Sequence, residues 1–314
     1  MDKLTICAVL TCHNRKAKTQ LCLESLYQAA ERVADRAKVR VIVTDDGSTD
    51  GTEHMLRTQF PAVCVIQGDG SLFWNGGMRM AFGQALEERH DFYLWVNDDT
   101  DLFPDFLVQL FVTHEALVTR YGRGGIVVGS TCDDQGLTSY GGEIRRPGWK
   151  ALNYTHVEPG DTQLPCETFN GNCLLVSADA ARELGNLDSA FKHSMGDTDY
   201  GLRATQKGVP ILVMPGYAGR CVNDHTVEGS YLDRSLPLSL RWQKVLSPKG
   251  LSLRPWGVFC RRHAGLLWPV YWAGPYVKVI FTSLIRAHVM ARSIRAFFIF
   301  GMAGCYFANS AFPP

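Results

Sequence analysis

The sequence predicts an α/β protein with a mostly parallel sheet flanked by helices, followed by a basic, aromatic-rich helical C-terminal region. Over residues 1–230, short apolar runs alternate with amphipathic stretches, and no repeat or low-complexity linker interrupts them. Residues 1–230 carry 21 basic and 30 acidic side chains, whereas residues 231–314 carry 11 basic side chains and one acidic side chain. We therefore expect two parts, an α/β domain at 1–230 and a C-terminal region at 231–314.

The first half of the α/β domain alternates strands with helices. Its strands are short apolar runs rich in β-branched residues, as in a sheet buried on both faces. They are expected at 4–10, 39–43, 63–66 and 92–96. Its helices are amphipathic, and in the first of them Leu23, Leu26 and Ala30 recur on one face. They are expected at 16–34, 78–88 and 104–118, where Pro104 suits a first helical turn.

Beyond residue 125 the alternation is looser. A Gly-Gly-Glu-Ile run at 141–144 is typical of a hairpin edge, and apolar runs predict strands at 174–176 and 211–214. Two short amphipathic stretches, 178–184 and 197–207, end at Gly185 and Gly208 and are expected to be helices.

The composition is that of a folded protein from a reducing compartment. Hydrophobic residues make up 46% of the chain and charged residues 20%, which excludes disorder as the main state. The ten cysteines include no Cys-x-x-Cys pair, and several lie in apolar stretches, as reduced thiols do. The N-terminal residues show no signal-peptide pattern, so we expect the α/β domain to stay in the cytoplasm.

The C-terminal region intersperses tryptophan and tyrosine with lysine and arginine. Its longest charge-free runs, 264–277 and 296–314, are too broken by proline or too polar for a membrane span of about 18 apolar residues. We expect an interfacial segment that holds the protein peripherally on the inner face of the cell membrane. The alternative is a helical subdomain packed on the α/β domain, or a dimer interface. Nucleic-acid binding is disfavoured because the aromatic residues alternate with aliphatic ones.

Acidic pairs follow two of the predicted strands. Asp45 and Asp46 come after the second strand, and Asp98 and Asp99 come after the fourth. Ligands of open α/β sheets bind outside the carboxyl ends of the strands, and adjacent carboxylates there repel unless a cation or a donor satisfies them. The pattern predicts a site for a divalent metal, a base and a ribose. Phosphate-loop, GxGxxG, GxSxG and HExxH motifs are absent, which disfavours ATPases, dehydrogenases, α/β-hydrolases and zincins.

Four segments occur in a specific order along the chain. They are Thr-Cys-His-Asn-Arg at 11–15, Asp-Asp-Gly-Ser-Thr-Asp-Gly-Thr at 45–52, Asn-Asp-Asp at 97–99 and Gly-Asp-Thr-Asp-Tyr-Gly-Leu-Arg at 196–203. Together they resemble the family 2 glycosyltransferases, inverting enzymes of the GT-A fold that use nucleotide sugars. The resemblance covers about residues 4–228, and it implies that 1–230 is a GT-A catalytic domain.

The resemblance implies a nucleotide site. Asp46 would accept a hydrogen bond from the nucleobase imide, with the segment from Thr11 through Asn14 and Arg15 lining the base pocket. Asp98 would contact the ribose. Read without the resemblance, residues 45–52 are equally a polar βα turn in which Ser48 or Asp50 caps a helix.

A glycine-rich segment at 68–78 occupies the place of a family turn that leads into a helix. Gly76 and Gly77 would let a diphosphate approach the helix N-terminus. The segment contains a Leu-Phe-Trp insertion that resembles a rhamnosyltransferase-like subgroup, and Trp74 and Asn75 would contact the donor or acceptor sugar. The alternative is a buried aromatic plug.

Two carboxylates, Asp197 and Asp199, stand where the family has its general base. Residues two apart on a helix do not share a face, so only one of them can serve the reacting atom. The resemblance makes Asp197 the base, with Gly196 in place of the usual Glu. Asp199 would contact the donor or acceptor sugar and would pair with Arg203 on the helix surface. The alternative for Asp197 is an N-cap.

The resemblance also implies a divalent cation. Asp99 matches the ligand of the family's Asp-x-Asp motif, which reads Asn-Asp-Asp here and leaves Asn97 without a role. His225 matches a late metal-binding histidine, and a set without it would comprise Asp98, Asp99 and diphosphate oxygens. An imidazole ligand favours Mn²⁺, whereas an all-oxygen site suits Mg²⁺.

The expected function is inverting, metal-dependent hexosyl transfer. The donor would be a dTDP- or UDP-linked sugar, since uracil and thymine offer the same imide, and the acceptor a saccharide or a lipid-linked saccharide of cell-surface polysaccharide or lipopolysaccharide synthesis. A catalytically silent nucleotide-sugar or lipid-binding protein of the same fold is the alternative. A sugar-1-phosphate nucleotidyltransferase is disfavoured because no early glycine-rich triphosphate loop is present.

Overall fold

A computed structural model describes residues 3–148, 151–223 and 227–284. The strands, all short and mostly buried, are β1 (Leu4–Cys12), β2 (Ala37–Asp45), β3 (Cys64–Gln67), β4 (Phe92–Val96), β5 (Asp101–Leu102), β6 (Ile126–Val128), β7 (Thr131–Cys132), β8 (Thr138–Tyr140), β9 (Gly142–Arg145), β10 (Tyr154–His156), β11 (Leu164–Pro165), β12 (Thr168–Phe169), β13 (Cys173–Ser177), β14 (Ile211–Val213) and β15 (Gly219–Arg220).

Eight of these strands form the central sheet, in the order β11-β14-β6-β13-β4-β1-β2-β3. The neighbours of β1 are both parallel to it, and β13 is antiparallel between β4 and β6. The register pairs Cys12 with Asp45, so the carboxyl ends of β1 and β2 lie side by side. The predicted mostly parallel sheet is therefore confirmed.

The helices cover both faces of the sheet. They are α1 (Lys16–Glu31), α2 (Thr52–Gln59), α3 (Phe73–Glu88), α4 (Phe106–Tyr121), α5 (Ala178–Leu184), α6 (Gly196–Gln206), α7 (Leu238–Leu246) and α8 (Leu253–His263). One core lies between the sheet and α1, α2 and α4, and a second core lies between the sheet and α3, α5 and α6. Because side chains alternate along β1, Ile6 enters the first core and Cys7 the second.

Two smaller sheets lie beside the central one. Strands β10, β9 and β12 form an antiparallel sheet, and β5, β15, β7 and β8 form a four-stranded one. The predicted hairpin edge at 141–144 is wrong in one respect, because β9 is the central strand and pairs on both sides. Two helix starts also differ from prediction. Helix α3 begins at Phe73, ahead of residue 78, and Pro104 lies in the turn before α4.

The described part of the C-terminal region is helical, as predicted. After α8, a 3-10 turn (Gly265–Leu267) leads into a helix that covers residues 268–284. Phe259 of α8 packs with Phe191 and Leu202 of the α/β domain in a third cluster. None of the helices formed by the described residues has the length and apolar content that a membrane crossing requires.

Candidate active site

A cleft of about 270 Å³ opens at the carboxyl ends of β1, β2 and β4. It is lined by Thr11, Cys12, His13, Arg15, Asp46, Gly70, Phe73, Trp74, Asp98, His193 and Lys249. Of the predicted site residues, it brings together Thr11, Arg15, Asp46, Trp74 and Asp98. Lys249 belongs to the C-terminal region, so both parts of the chain contribute to this cleft.

The loops that follow β1 and β2 are tied together by side-chain hydrogen bonds. The backbone N–H of Asn14 donates to Ser48 Oγ at 2.9 Å, and Asn14 Oδ1 accepts from the N–H of Thr49 at 2.7 Å. Asp50 accepts from the N–H groups of Lys16 and Thr52, which begin α1 and α2. Ser48 and Asp50 therefore act as the polar turn that the sequence allowed, and Asn14 links the two loops.

Asp46 ties the end of β2 to the start of α3. Its carboxylate accepts backbone N–H bonds from Gly70 at 2.8 Å, Leu72 at 3.3 Å and Phe73 at 2.9 Å. A carboxylate at this end of a helix is favoured by the helix dipole. The backbone oxygen of Asp46 also contacts His13 Nδ1 at 2.6 Å. The Asp46 side chain, which is almost fully buried, thus fixes one wall of the cleft.

Gly77 allows α3 to pack directly on β1. A Cβ at this position would lie 2.0 Å from Thr11 Oγ1, so a larger residue would push the helix away from the strand. The Thr11 hydroxyl in turn donates to the Thr44 carbonyl at 3.2 Å. Gly76 lies in the same first turn, with Leu72 Cβ 3.2 Å from where its own Cβ would be.

Asp98 and Asp99 share one cation, Arg15. The Arg15 guanidinium lies 2.6 Å from Asp99 Oδ2 and 3.3 Å from Asp98 Oδ1, and the Thr19 hydroxyl donates to Asp98 at 3.3 Å. Burial and the adjacent charge of Asp99 raise the pKa of Asp98 to about 7, although Arg15 opposes the shift. Two carboxylates that share a single arginine keep an excess of negative charge when both are ionised, and they form an all-oxygen donor set, which fits a hard divalent cation.

Asn97, which had no predicted role, holds Trp74. The Trp74 indole N–H donates to Asn97 Oδ1 at 2.6 Å. At its other end the ring lies against Gly171, where a Cβ would come within 2.6 Å of the indole and 3.3 Å of Asp197 Cβ. Trp74 therefore spans from the end of β4 to the residue beside Asp197, and it is only partly buried.

Asp197 lies in the first turn of α6 and is partly exposed. Its carboxylate accepts from the N–H of Gly171 at 2.9 Å and from that of Thr198 at 2.8 Å. Burial raises its pKa, and these bonds oppose the shift. The N-cap of α6 is Met195, which has a positive φ of 74°, so Asp197 is not the N-cap.

A steric contact explains why position 196 is a glycine. A Cβ there would lie 1.7 Å from Asn75 Oδ1, and Asn75 is fully buried. The Asn75 amide donates to the carbonyls of Asp188 and Phe191, so it supports the loop before α6. The structure does not bring the Asn75 side chain into the cleft.

Asp199 is fully buried on the other face of α6. It accepts from Arg203 Nε at 2.9 Å, Arg262 Nη1 at 3.1 Å and His263 Nε2 at 2.9 Å. The predicted pair with Arg203 is present, but it is buried rather than at the helix surface. Because two of the three partners belong to α8, Asp199 joins the C-terminal region to α6 and does not face the cleft.

Sequence reasoning missed two residues near the site. Glu143 lies on β9, and burial together with the charge of Asp197 raises its pKa to about 7. Lys249 lies 46 positions beyond Arg203, the last residue of the four motifs. Neither belongs to a recognisable motif, and only the tertiary structure brings them to the α/β domain.

One group among the described residues has the spacing of a metal site, namely Cys7, Glu88 and His90. It lies toward the amino ends of β1 and β4, away from Asp98 and Asp99. Glu88 is already paired with Arg40 at 2.6 Å, so this group is not the predicted metal centre. His225, the other predicted ligand, lies outside the described residues.

Comparisons with known proteins indicate a family. Residues 7–169 match the model of glycosyl transferase family 2. The galactofuranosyltransferase GlfT2 of Mycobacterium tuberculosis is 23% identical over 86% of this chain and 42% of its own length. The chain thus spans less than half of that relative. An N-acetylglucosaminyl-diphospho-decaprenol L-rhamnosyltransferase of the same species is 23% identical over 86% of this chain and 88% of its own. A solved mannosyltransferase of Pyrobaculum calidifontis, in complex with GDP-Man and Mn²⁺, is 14% identical with a TM-score of 0.49, over 96% of this chain and 81% of its own.

Proposed function

Because the chain belongs to glycosyl transferase family 2 and has its GT-A fold, we propose that it transfers a hexosyl group from a nucleoside diphosphate to an acceptor hydroxyl, with inversion. One observation carries the proposal. The Trp74 ring extends from Asn97, next to the Asp98–Asp99 pair, to Gly171, which holds Asp197. A donor sugar between the pair and Asp197 would have a leaving-group site on one side and a base on the other.

The nucleotide would occupy the cleft at the ends of β1, β2 and β4. In this proposal the nucleobase contacts the segment Thr11–Arg15 and Asp46, and the ribose contacts Asp98. The complete donor is a dTDP- or UDP-linked sugar. Arg15 and Lys249 bring positive charge to a cleft that would receive a diphosphate. Support comes from the relatives named above, one of which is an L-rhamnosyltransferase.

A divalent cation fits beside this diphosphate. Asp99, together with Asp98, offers carboxylate oxygens of the kind that Mg²⁺ and Mn²⁺ bind. When bound, such a cation stabilises negative charge that develops on a leaving phosphate. His225 would be a further ligand from outside the described residues, and with an imidazole ligand Mn²⁺ is favoured.

The chemistry assigned to the chain's own residues is proton transfer. The acceptor oxygen forms a bond to the anomeric carbon as the bond from that carbon to the phosphate oxygen breaks, and a single displacement inverts the centre. Asp197 takes the proton of the acceptor hydroxyl. Two backbone N–H groups fix its carboxylate, and its raised pKa makes it a stronger base than an exposed aspartate.

The acceptor is proposed to be a saccharide or lipid-linked saccharide of cell-surface polysaccharide synthesis. The rhamnosyltransferase relative is named for a diphospho-decaprenol acceptor. In this chain the helix at 268–284 exposes large apolar side chains, including Val270, Val277 and Phe281. We propose that this surface places the enzyme on the inner face of the cell membrane, where such acceptors would lie.

Asp99→Ala tests the proposed function. Purified full-length protein is titrated with UDP, dTDP and GDP sugars in the presence and absence of Mn²⁺, and transfer to N-acetylglucosaminyl-diphospho-decaprenol is measured. We expect the substitution to abolish both metal-dependent nucleotide binding and transfer, because it removes an anionic ligand. Asp101→Ala, which changes an exposed aspartate two residues away, should leave both intact. Full activity of Asp99→Ala would overturn the site.

A further inference from the structure

Lys249 brings the C-terminal region into the nucleotide cleft. It lines the same cleft as Thr11, Asp46 and Asp98, the residues to which the nucleoside is assigned. Asp197, the proposed base, is not among the described residues that line this cleft. The ammonium group of Lys249 is therefore placed beside the nucleotide rather than beside the acceptor hydroxyl.

The charges in the cleft favour Lys249 over Arg15 as the group that receives a phosphate. The Arg15 guanidinium lies 3.3 Å from Asp98 and 2.6 Å from Asp99, so its charge is already compensated by carboxylates. Lys249 is exposed, and none of the salt bridges among the described residues includes it. An ammonium group that no carboxylate occupies can donate hydrogen bonds to a phosphate.

A tight turn after α7 presents Lys249. The N–H of Gly250 donates to the Ser247 carbonyl at 2.9 Å, and the next N–H, that of Leu251, donates to the Val245 carbonyl at 2.7 Å. A Cβ on Gly250 would lie 2.6 Å from the Val245 carbonyl oxygen, so the turn packs directly on the end of the helix. The chain that carries Lys249 is thus held against α7.

Helix α8 fixes this turn relative to the α/β domain. It begins at Leu253, four residues after Lys249. Its Arg262 donates to Asp188 at 2.6 Å and to Asp199 at 3.1 Å, both in the α/β domain. Lys249 therefore lies at the cleft because folded elements on either side of it are packed.

The helix at 268–284 supports the same turn. The Tyr276 hydroxyl donates to the Leu251 carbonyl at 2.6 Å, and Tyr276 is 6% exposed. The next residue, Val277, is 60% exposed and belongs to the apolar surface of this helix. The helix therefore presents apolar side chains to the outside while its buried side holds the turn that carries Lys249.

We propose that Lys249 is a phosphate-binding residue of the donor site, whose ammonium group donates hydrogen bonds to the diphosphate of the nucleotide, and that Tyr276 is the positioning residue for its turn. The C-terminal region then completes the nucleotide site of the α/β domain. This inference rests on the proposed function and adds a requirement for the C-terminal region in nucleotide binding. The diphosphate of a lipid-linked acceptor has the same chemistry, so binding is measured with nucleotide alone.

The test compares nucleoside diphosphates with nucleosides. Full-length protein is titrated with UDP and dTDP by calorimetry, at low ionic strength with Mn²⁺, and with uridine and thymidine by ligand-detected NMR. Lys249→Gln should weaken binding of the preferred diphosphate about tenfold, because it removes a charge-assisted bond to phosphate, and should leave binding of the nucleoside unchanged. Lys249→Arg keeps the cation and should restore most of the affinity.

Lys278→Gln is the matched control. It makes the same substitution at an exposed lysine of the same region that does not line the cleft, and it should bind both ligands as the wild type does. Tyr276→Phe removes the bond to Leu251. It should weaken diphosphate binding about threefold in the wild type and not in Lys249→Gln, because it acts through that lysine.

Each outcome bears on a different claim. Unchanged diphosphate affinity in Lys249→Gln, an equal loss of nucleoside affinity, or an equal loss in Lys278→Gln overturns the inference alone. An equal effect of Tyr276→Phe in both backgrounds overturns its positioning role. A wild type that binds neither UDP nor dTDP overturns the proposed function, and this inference with it.

Discussion

Asp197 and Asp199 show how one helix gives two carboxylates opposite environments. Asp197 is partly exposed and bonded only to backbone N–H groups, whereas Asp199 is fully buried among Arg203, Arg262 and His263. A base must be reachable by substrate and free to accept a proton. Asp199 has neither property, because its oxygens are already bound by cationic or donor groups.

Asp197→Asn should therefore impair proton transfer from the acceptor hydroxyl while preserving the fold. The amide keeps the size of the side chain, and its oxygen can still accept from Gly171 or Thr198. We expect kcat to fall by about 10² to 10⁴, the range for loss of a general base, with unchanged nucleotide affinity. Single-turnover transfer and calorimetric nucleotide binding measure the two effects. An active Asp197→Asn beside an inactive, folded Asp199→Asn would mean that the assigned roles are reversed.

Individual residues were predictable where a motif marked them. The strand-end pairs led to Asp98 and Asp99, and the helical spacing argument separated Asp197 from Asp199. The contact of Asn97 was not predictable in this way, because it depends on Trp74, which only the tertiary structure brings to it. The prediction for Asn75 was wrong in the opposite sense. It lies in a motif and was expected to contact a sugar, but its side chain is buried and supports the loop before α6.

Helix α8 holds α6 in place at the level of elements. Arg262 donates to Asp188 at 2.6 Å and to Asp199, and His263 donates to Asp199 from a buried position. Phe259 adds apolar contact with Phe191. Because α6 carries Asp197 two residues before Asp199, α8 stabilises the turn that presents the proposed base.

Asp199→Asn should destabilise the protein by about 3–5 kcal/mol, because it leaves two buried or half-buried cations without their carboxylate. Burial alone would raise the pKa of Asp199, but the bond from His263 and the arginines lower it below its ordinary value. That contribution is present above about pH 4 and is lost as the pH falls through the lowered pKa. Urea unfolding from pH 3 to pH 7 should show this acid loss in the wild type and not in the variant.

Asp179→Asn is the matched control for that measurement. Asp179 pairs with Arg182 at 3.0 Å, but both side chains are largely exposed, so the pair contributes little. We expect unfolding curves close to those of the wild type at every pH. Equal effects of the two substitutions would show that Asp199 does not join α8 to α6.

The bounds of strands and helices could be predicted from the sequence where the hydrophobic periodicity was strong. Strand β4 has the predicted bounds, and α5 ends at Gly185 as expected. Helix α3 starts earlier than its apolar periodicity indicates because the carboxylate of Asp46, a distant residue in the sequence, binds the N–H groups of Leu72 and of Phe73, the first residue of the helix. The central position of β9 could not be predicted either, since it depends on pairing with residues 9 to 27 positions further along the chain.

At the scale of the whole molecule, two expectations were stated for the C-terminal region, packing on the α/β domain and contact with a membrane. They apply to different helices. Helix α8 packs on the α/β domain, and Lys249, which lies between α7 and α8 in the sequence, reaches the cleft. Arg241 of α7 donates to Thr282 and Ser283 of the helix at 268–284. The helix at 268–284 instead presents an apolar row. Val270, Val277, Phe281 and Leu284 recur at intervals of seven, four and three, which is one helical face, and each is at least 58% exposed. Removing the whole region would also remove α8, so point variants of the row test membrane binding more cleanly.

Val277→Ser combined with Phe281→Ser should release the protein from anionic vesicles. A buried apolar side chain of this size contributes about 1.5–3 kcal/mol, so the pair should weaken binding to phosphatidylglycerol vesicles at least tenfold. Neighbouring basic residues contribute about 1 kcal/mol each and make binding weaker at high salt. Leu21→Ser with Leu137→Ser, which changes equally exposed apolar residues of the α/β domain, should bind as the wild type does. Sedimentation of full-length protein measures all three, and a wild type that ignores these vesicles would refute membrane binding by this row.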